Sequence, residues 1–204
     1  QFTKILKTLD LFSEQRSTLS AEEIADLLGT SRPSAFRYVK ELCETGLLTR
    51  VAGRYALGAK IIELDYRIRR SEPILLASRA RMQALAERTA STVILCSLYG
   101  DEIIHVHHET AVKPVPFSWT RGRPLPLFRG SYAAVILANL PAARLKRLYE
   151  THRHAPDVQR FAADWTGFAR RYREVARAGY YISREEVDPG VVGIAAPTFN
   201  DGRL

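Results

Sequence analysis

The segment from Ser20 to Gly46 constrains this chain more than any other, because two helices and the turn between them can be read off its local chemistry. Ser20 stands three residues before Glu23, the capping-box spacing, in which hydroxyl and carboxylate each satisfy a backbone N–H at a helix start. Ile24, Ala25, Leu27 and Leu28 then follow as a buried stripe, and Gly29 stops the helix. Thr30-Ser31 opens another helix, with Pro33 in the first turn, where a missing N–H costs nothing. Ala35, Phe36, Val39 and Leu42 mark its buried side, and Thr45-Gly46 closes it.

The flanks extend this pattern. Ile5, Leu6, Leu9 and Phe12 recur at helical spacing over residues 2–12. After Gly46, the runs 47–51 and 54–57 flank Ala52-Gly53 as two short strands joined by a tight glycine turn. Three short helices followed by a hairpin, the second and third joined by Gly29-Thr30-Ser31, form the pattern of a winged helix-turn-helix, whose third helix enters the DNA major groove. The outward face of that helix is expected to carry Ser31, Arg32, Ser34, Arg37, Tyr38 and Lys40, all donors, with no carboxylate before Glu41. Arginine pairs bidentately with guanine edges, while lysine and hydroxyls suit phosphates as well as bases. Arg54, just past the hairpin turn, is placed for a phosphate or minor-groove contact. Phe36 and Tyr55 are candidate stacking platforms for single strands, but Phe36 falls on the buried stripe and reads as core. The charge balance agrees: 30 Lys and Arg against 22 Asp and Glu give a formal +8, which favours an acidic partner such as nucleic acid.

Residues 59–72 continue as a linker helix with Ile61, Ile62, Leu64 and Ile68 apolar and Arg67, Arg69 and Arg70 near its end, until Glu72-Pro73 breaks it. The expected organisation is therefore a DNA-binding domain over residues 1–58, the linker helix over 59–72 and a second domain over 73–204. That domain reads as mixed α/β. A helix over 74–88 precedes strands over 92–99 and 102–108, and prolines at 114, 116, 124 and 126 reduce 112–127 to an edge strand plus loop. Helices follow over 131–139, 141–149 and 164–178, then strands over 180–187 and 191–199. Asn200-Asp201-Gly202 is a hairpin signal, so the domain is expected to continue beyond Leu204.

Other classes find little support. Cys43 and Cys96 sit in apolar stretches without CxxC spacing, which argues against a disulfide scaffold or a cysteine zinc site and for a reducing cytoplasm. No apolar run approaches the roughly 20 residues of a membrane span, and Gln1-Phe2-Thr3-Lys4 lacks the apolar core of a signal peptide. Cys96 has no basic neighbour in sequence to lower its pKa and reads as an inert buried thiol. No GxSxG, Walker or GxGxxG sequence is present, so neither a catalytic site nor a cofactor is expected. The alternative to a regulator is a small-molecule or metal-dependent enzyme using the α/β domain. It rests on His105-x-His107-His108 with Glu109, since His105 and His107 share one face of a strand. A metal would need a third ligand and an open position, and no metal is expected.

The ordered segments 19–25, 29–37, 44–48 and 54–58 resemble the N-terminal domain of IclR-type bacterial transcriptional regulators. Arg123-Pro124-Leu125-Pro126-Leu127 before a small-residue helix, Gly179-Tyr180, Glu185-Glu186-Val187-Asp188-Pro189-Gly190-Val191 and Ile194-Ala195-Ala196-Pro197 look like the effector-binding signatures of the same family. The resemblance spans essentially the whole chain. It implies an α+β protein that joins a winged helix-turn-helix and linker helix to a GAF-like domain with an antiparallel sheet. It further implies a dimer or tetramer that binds operator DNA and a small organic or aromatic acid. By position, the effector site would include Phe117, Leu125, Ser131, Tyr132, Ser183, Val191 and Gly193, with Arg129 adding a cation. Ser131 follows Gly130 at a helix start, where N–H groups and the dipole favour a carboxylate. Two departures reshape the site: Tyr132 stands where the family has a small residue, and Gly193 replaces a frequent cysteine.

Overall fold

The computed structural model describes residues 2–111 and 120–199, so Phe117 and the Asn200-Asp201-Gly202 turn lie outside the described residues. The chain divides into two compact units, Gln1–Glu72 and Pro73–Leu204.

In the first unit, α1 (Phe2–Lys7) runs into a short 3-10 turn (Leu9–Leu11), so the single helix expected over residues 2–12 is two pieces. Helices α2 (Ala21–Leu28) and α3 (Arg32–Glu44) form where the caps require them. Glu23 N donates to Ser20 Oγ at 3.2 Å and Ser20 N to Glu23 Oε2 at 2.7 Å, completing the capping box. The turn that follows is closed by Thr30 N donating to Ala25 O at 2.9 Å. Strands β1 (Leu48–Val51) and β2 (Arg54–Leu57) pair antiparallel with Val51 opposite Arg54. Ala52 and Gly53 both take positive φ, as a two-residue primed turn requires. Leu19 joins the edge by exchanging both backbone hydrogen bonds with Tyr55, at 2.9 and 2.8 Å. Helix α4 (Ala59–Ser71) completes the unit.

The core of this unit is Ile5, Leu19, Ala21, Ile24, Ala25, Ala35, Tyr38, Val39, Leu42, Leu48 and Tyr55. It corrects two expectations on α3. Tyr38 is only 4% exposed and belongs to this core, whereas Phe36 is 48% exposed and does not. The reason is angular. Position 38 lies three residues after Ala35 and four before Leu42, inside the stripe they define, while position 36 is turned about 100° from Ala35. Tyr55 is buried, as a core role requires.

In the second unit, α5 (Pro73–Thr89) precedes β3 (Thr92–Tyr99), β4 (Glu102–Thr110) and β5 (Pro124–Leu125), which form an antiparallel sheet in the order β3-β4-β5. The proline-bearing β5 lies at the sheet edge, where a missing N–H is tolerated. Helices α6 (Ser131–Ala138), α7 (Ala142–His152), α8 (Pro156–Phe161) and α9 (Trp165–Ala178) follow, then the antiparallel ribbon of β6 (Tyr181–Arg184) and β7 (Val192–Ala195). Helix α8 lies between the helices expected over 141–149 and 164–178; it starts on Pro156 and buries Val158 completely. Strands β6 and β7 are shorter than expected, because Glu185 turns to positive φ and ends the ladder.

Helix α6 organises this unit. It is apolar on every side, and six of its eight residues are buried. One side packs Ala133 and Ile136 against Ile103 and Leu125 of the three-stranded sheet, and another packs Ala134 and Val135 against Val175 of α9. Leu137 enters a third cluster with Phe128, Leu145, Leu148, Val158, Phe168 and Tyr172.

Gly58 sits where the end of β2 crosses the α3–β1 turn, and a Cβ there would lie 2.1 Å from the Gly46 carbonyl oxygen. Gly58→Ala should therefore destabilise the first unit by about 1–3 kcal/mol through overpacking. A lower denaturant midpoint with unchanged m-value checks this, and an unchanged midpoint refutes it.

Candidate DNA-reading face and effector site

Helix α3 presents Ser31, Arg32, Phe36, Arg37 and Lys40 to solvent, with Ser34 half-buried beside them. Its first turn holds no acidic residue, so the positive end of the helix dipole adds to the Arg32 charge. Ser31 Oγ donates to Ser34 Oγ at 3.0 Å rather than capping the backbone. Lys40 Nζ lies 3.9 Å from Glu44 Oε1 with both ends exposed, a pairing too weak to hold the amine against a phosphate. Ser31, Arg32, Ser34, Arg37 and Lys40 thus share one polar face, and Tyr38, expected among them, is in the core behind it.

Arg54 also differs from expectation. Its Nε donates to Thr18 Oγ1 at 3.1 Å, and its Nη2 donates to Thr18 O at 3.1 Å and to Glu23 Oε2 at 2.5 Å. The guanidinium is therefore a strut between the wing and the start of α2, not a group held out for phosphate. Glu23 receives both the Ser20 N–H and Arg54, and these hold its carboxyl below the usual carboxylate range.

In the second unit three expected effector residues converge. A Cβ on Gly193 would lie 2.8 Å from Ser131 Oγ and 2.9 Å from Ser183 Oγ, so the missing side chain at 193 is what lets the two buried hydroxyls face the ribbon. Ser183 Oγ donates weakly to Gly193 O at 3.4 Å. Leu125 and Tyr132 share the cluster around Ile103, and the buried Tyr132 hydroxyl has no hydrogen-bond partner. Val191 sits in the turn before β7, its carbonyl accepting from Glu185 N at 2.8 Å. Arg129 points instead to α8, with Nε 3.1 Å from Asp157 Oδ2. It borders a cleft of about 150 Å³ that Phe161, Arg171 and Glu186 also line.

Residues that the sequence reading passed over complete the picture. Glu186 Oε2 accepts from Gly130 N at 3.0 Å, and its Oε1 accepts from Tyr181 Oη at 2.9 Å. The start of α6 does attract a carboxylate, and the chain supplies one itself. Only the family-like run around Glu185-Glu186 marked it in sequence. His105 is 1% exposed, its Nδ1 has no partner, and its Nε2 lies 3.2 Å from His108 Nδ1. His107 turns to Glu109 at 2.8 Å, which also pairs with Arg79 at 3.4 Å. Among the described residues no three His, Cys, Asp or Glu side chains are grouped to hold a metal ion. Burial pushes the Cys96 thiol up to about 12, so it carries no thiolate near neutrality.

Residues 3–52 match the IclR helix-turn-helix domain, and residues 68–204 match the family described as bacterial transcriptional regulator IclR C-terminal. The HTH-type transcriptional regulator XynR of Escherichia coli K12 is 27% identical over 200 residues, covering 97% of this chain and 79% of the relative. An IclR transcriptional regulator from Alicyclobacillus acidocaldarius superposes with a TM-score of 0.80 at 21% identity, covering 100% of this chain and 83% of that one. An IclR homologue from Microbacterium hydrocarbonoxydans, solved in complex with 4-hydroxybenzoate, gives 0.75 at 20% identity, covering 100% and 85%. No helix among the described residues is long and apolar enough to cross a membrane.

Two predictions follow from these contacts. Arg54→Ala should lower the stability of the first unit by roughly 1–3 kcal/mol through loss of hydrogen bonds to Thr18 and Glu23. Chemical denaturation of residues 1–72 within the full chain reads this, and an unchanged midpoint would show that the strut is idle. Burial, with a lesser push from His108, lowers the His105 pKa from 6.5 to about 4. Between those values the unfolded chain binds a proton that the folded chain does not, so stability is complete above about pH 6.5 and falls by up to roughly 3 kcal/mol towards pH 4. Urea midpoints across that range should slope in the wild type and flatten in His105→Gln.

Proposed function

The chain belongs to the IclR family of bacterial transcriptional regulators, and from that premise we propose that it reads operator DNA with α3 and answers to a small aromatic or organic acid bound in the second unit. The observation that carries the DNA half is the exposed Arg32, Arg37 and Lys40 on a helix that begins without an acidic residue and is anchored to a packed core behind it. Arg32 and Arg37, nearer the helix start, are the base readers; Lys40, further along, takes phosphate.

The acid half is supported by Ser131 and Ser183 meeting over Gly193 at the start of α6, where the Gly130 N–H already donates to the Glu186 carboxylate. An effector acid competes with Glu186 for that helix start, and Tyr132 supplies an apolar ring with a hydroxyl left to pair. The 4-hydroxybenzoate bound to the Microbacterium homologue has this combination of ring, hydroxyl and carboxylate. Pairing of two copies is supported by α4, where Ile62 is 74% exposed and Leu64, Tyr66 and Ile68 are exposed alongside it. Two copies joined there would place two α3 helices on a two-fold operator in the cytoplasm.

Fluorescence anisotropy with the duplex upstream of the chain's own gene tests this reading. Log affinity should fall linearly with log salt, Arg37→Ala should cost about 1–3 kcal/mol, and Lys40→Ala should lower the salt slope by about 1. Adding 4-hydroxybenzoate should raise the melting temperature and change DNA affinity together. No duplex binding at low salt would overturn the DNA half, and DNA binding indifferent to every small acid would overturn the other.

A further inference from the structure

Phe36 has no place in the core of the first unit. The ring is 48% exposed, and it lies on the same side of α3 as Arg32, one turn earlier, and Lys40, one turn later, with Arg37 adjacent. Tyr38 has taken the core position instead, so nothing in the packing of this unit calls for a large apolar side chain at residue 36. A phenyl ring held in water between three cations is costly in isolation, and it is placed where the helix would meet the floor of a major groove.

The flanking charge decides the occupant. An apolar protein surface docking on this ring would have to strip water from Arg32, Arg37 and Lys40, whereas a DNA groove offers them phosphates and base acceptors. Among the base edges displayed in the major groove, only thymine presents an apolar group, its C5-methyl. We propose that Phe36 is a specificity-determining residue that packs its ring on a thymine methyl, so that the protein distinguishes T·A from C·G at one position of each half-site. The inference rests on the reading of α3 as the DNA-binding helix and adds to it a base preference that the cationic residues alone do not supply.

The test uses the full chain and duplexes selected by it from a randomised pool. Each thymine of the selected duplex is replaced in turn by deoxyuridine, which removes the methyl and leaves every hydrogen-bonding group unchanged. For the wild type, one replacement per half-site should weaken binding about fourfold, the value of burying one methyl-sized group. Phe36→Ala should bind the original duplex correspondingly less tightly and show no further loss on that replacement. Alanine is the better helix former at this exposed position, and an unchanged melting temperature confirms that the variant folds. Equal losses for wild type and variant, or no sensitivity to any single methyl, would overturn the assignment. So would a Phe36→Ala effect confined to single-stranded DNA, which would make the ring a base-stacking platform, or confined to the oligomeric state, which would make it a contact between copies. Failure of the wild type to select any duplex would instead bring down the DNA-binding reading itself.

Discussion

The carboxylate of Glu23 is the point on which the DNA-reading unit hangs. One oxygen accepts the Ser20 N–H that starts α2 and also takes the Arg54 guanidinium of the wing, so helix start and hairpin are tied by a single charged group. The same Arg54 reaches Thr18, next to Leu19, whose backbone pairs with Tyr55. Charge-assisted hydrogen bonds of this kind are directional, and together with the Leu19–Tyr55 backbone pair they tie the wing to the start of α2. With α2 and the wing fixed, the core of Ile24, Val39, Leu42 and Leu48 determines which side of α3 turns outward.

An analogous economy operates in the second unit, where α6 takes the central place. A helix that is apolar all round must be surrounded, and the sheet and α9 meet on it from different sides. Its N-terminus therefore lies inside the unit, beside Ser183 and Gly193, and leaves backbone donors where bulk water does not reach freely. Glu186 answers part of that demand, with Tyr181 steadying its second oxygen. The fold itself thus draws a negative charge to the start of α6, from a residue distant in the chain.

The local signals in the sequence proved strong where the chemistry acts within four residues. Ser20 and Glu23, Gly29, Pro33 and the Ala52-Gly53 turn all appear as their spacing predicts. They failed where a choice of side depended on more distant partners. On α3 the helical spacing of Ala35, Val39 and Leu42 takes Tyr38 into the stripe and leaves Phe36 about 100° away from it, and the packing of α2 and β1 against that stripe buries the one and exposes the other. Helix α8 escaped notice because six residues with one buried valine carry too short a period to read.

The sequence by itself determined the two-part organisation, the caps and turns of the DNA-reading unit and the family to which the chain belongs, because these rest on short-range hydrogen bonding and on motif order. Tertiary structure decided which side chains meet. Arg54 turned inward because Glu23 lies 2.5 Å away, Ser131 and Ser183 met because residue 193 lacks a side chain, and Arg129 was drawn to Asp157. Each is a contact between residues far apart in the chain, and charge or volume at that distance leaves no periodicity for a sequence to display.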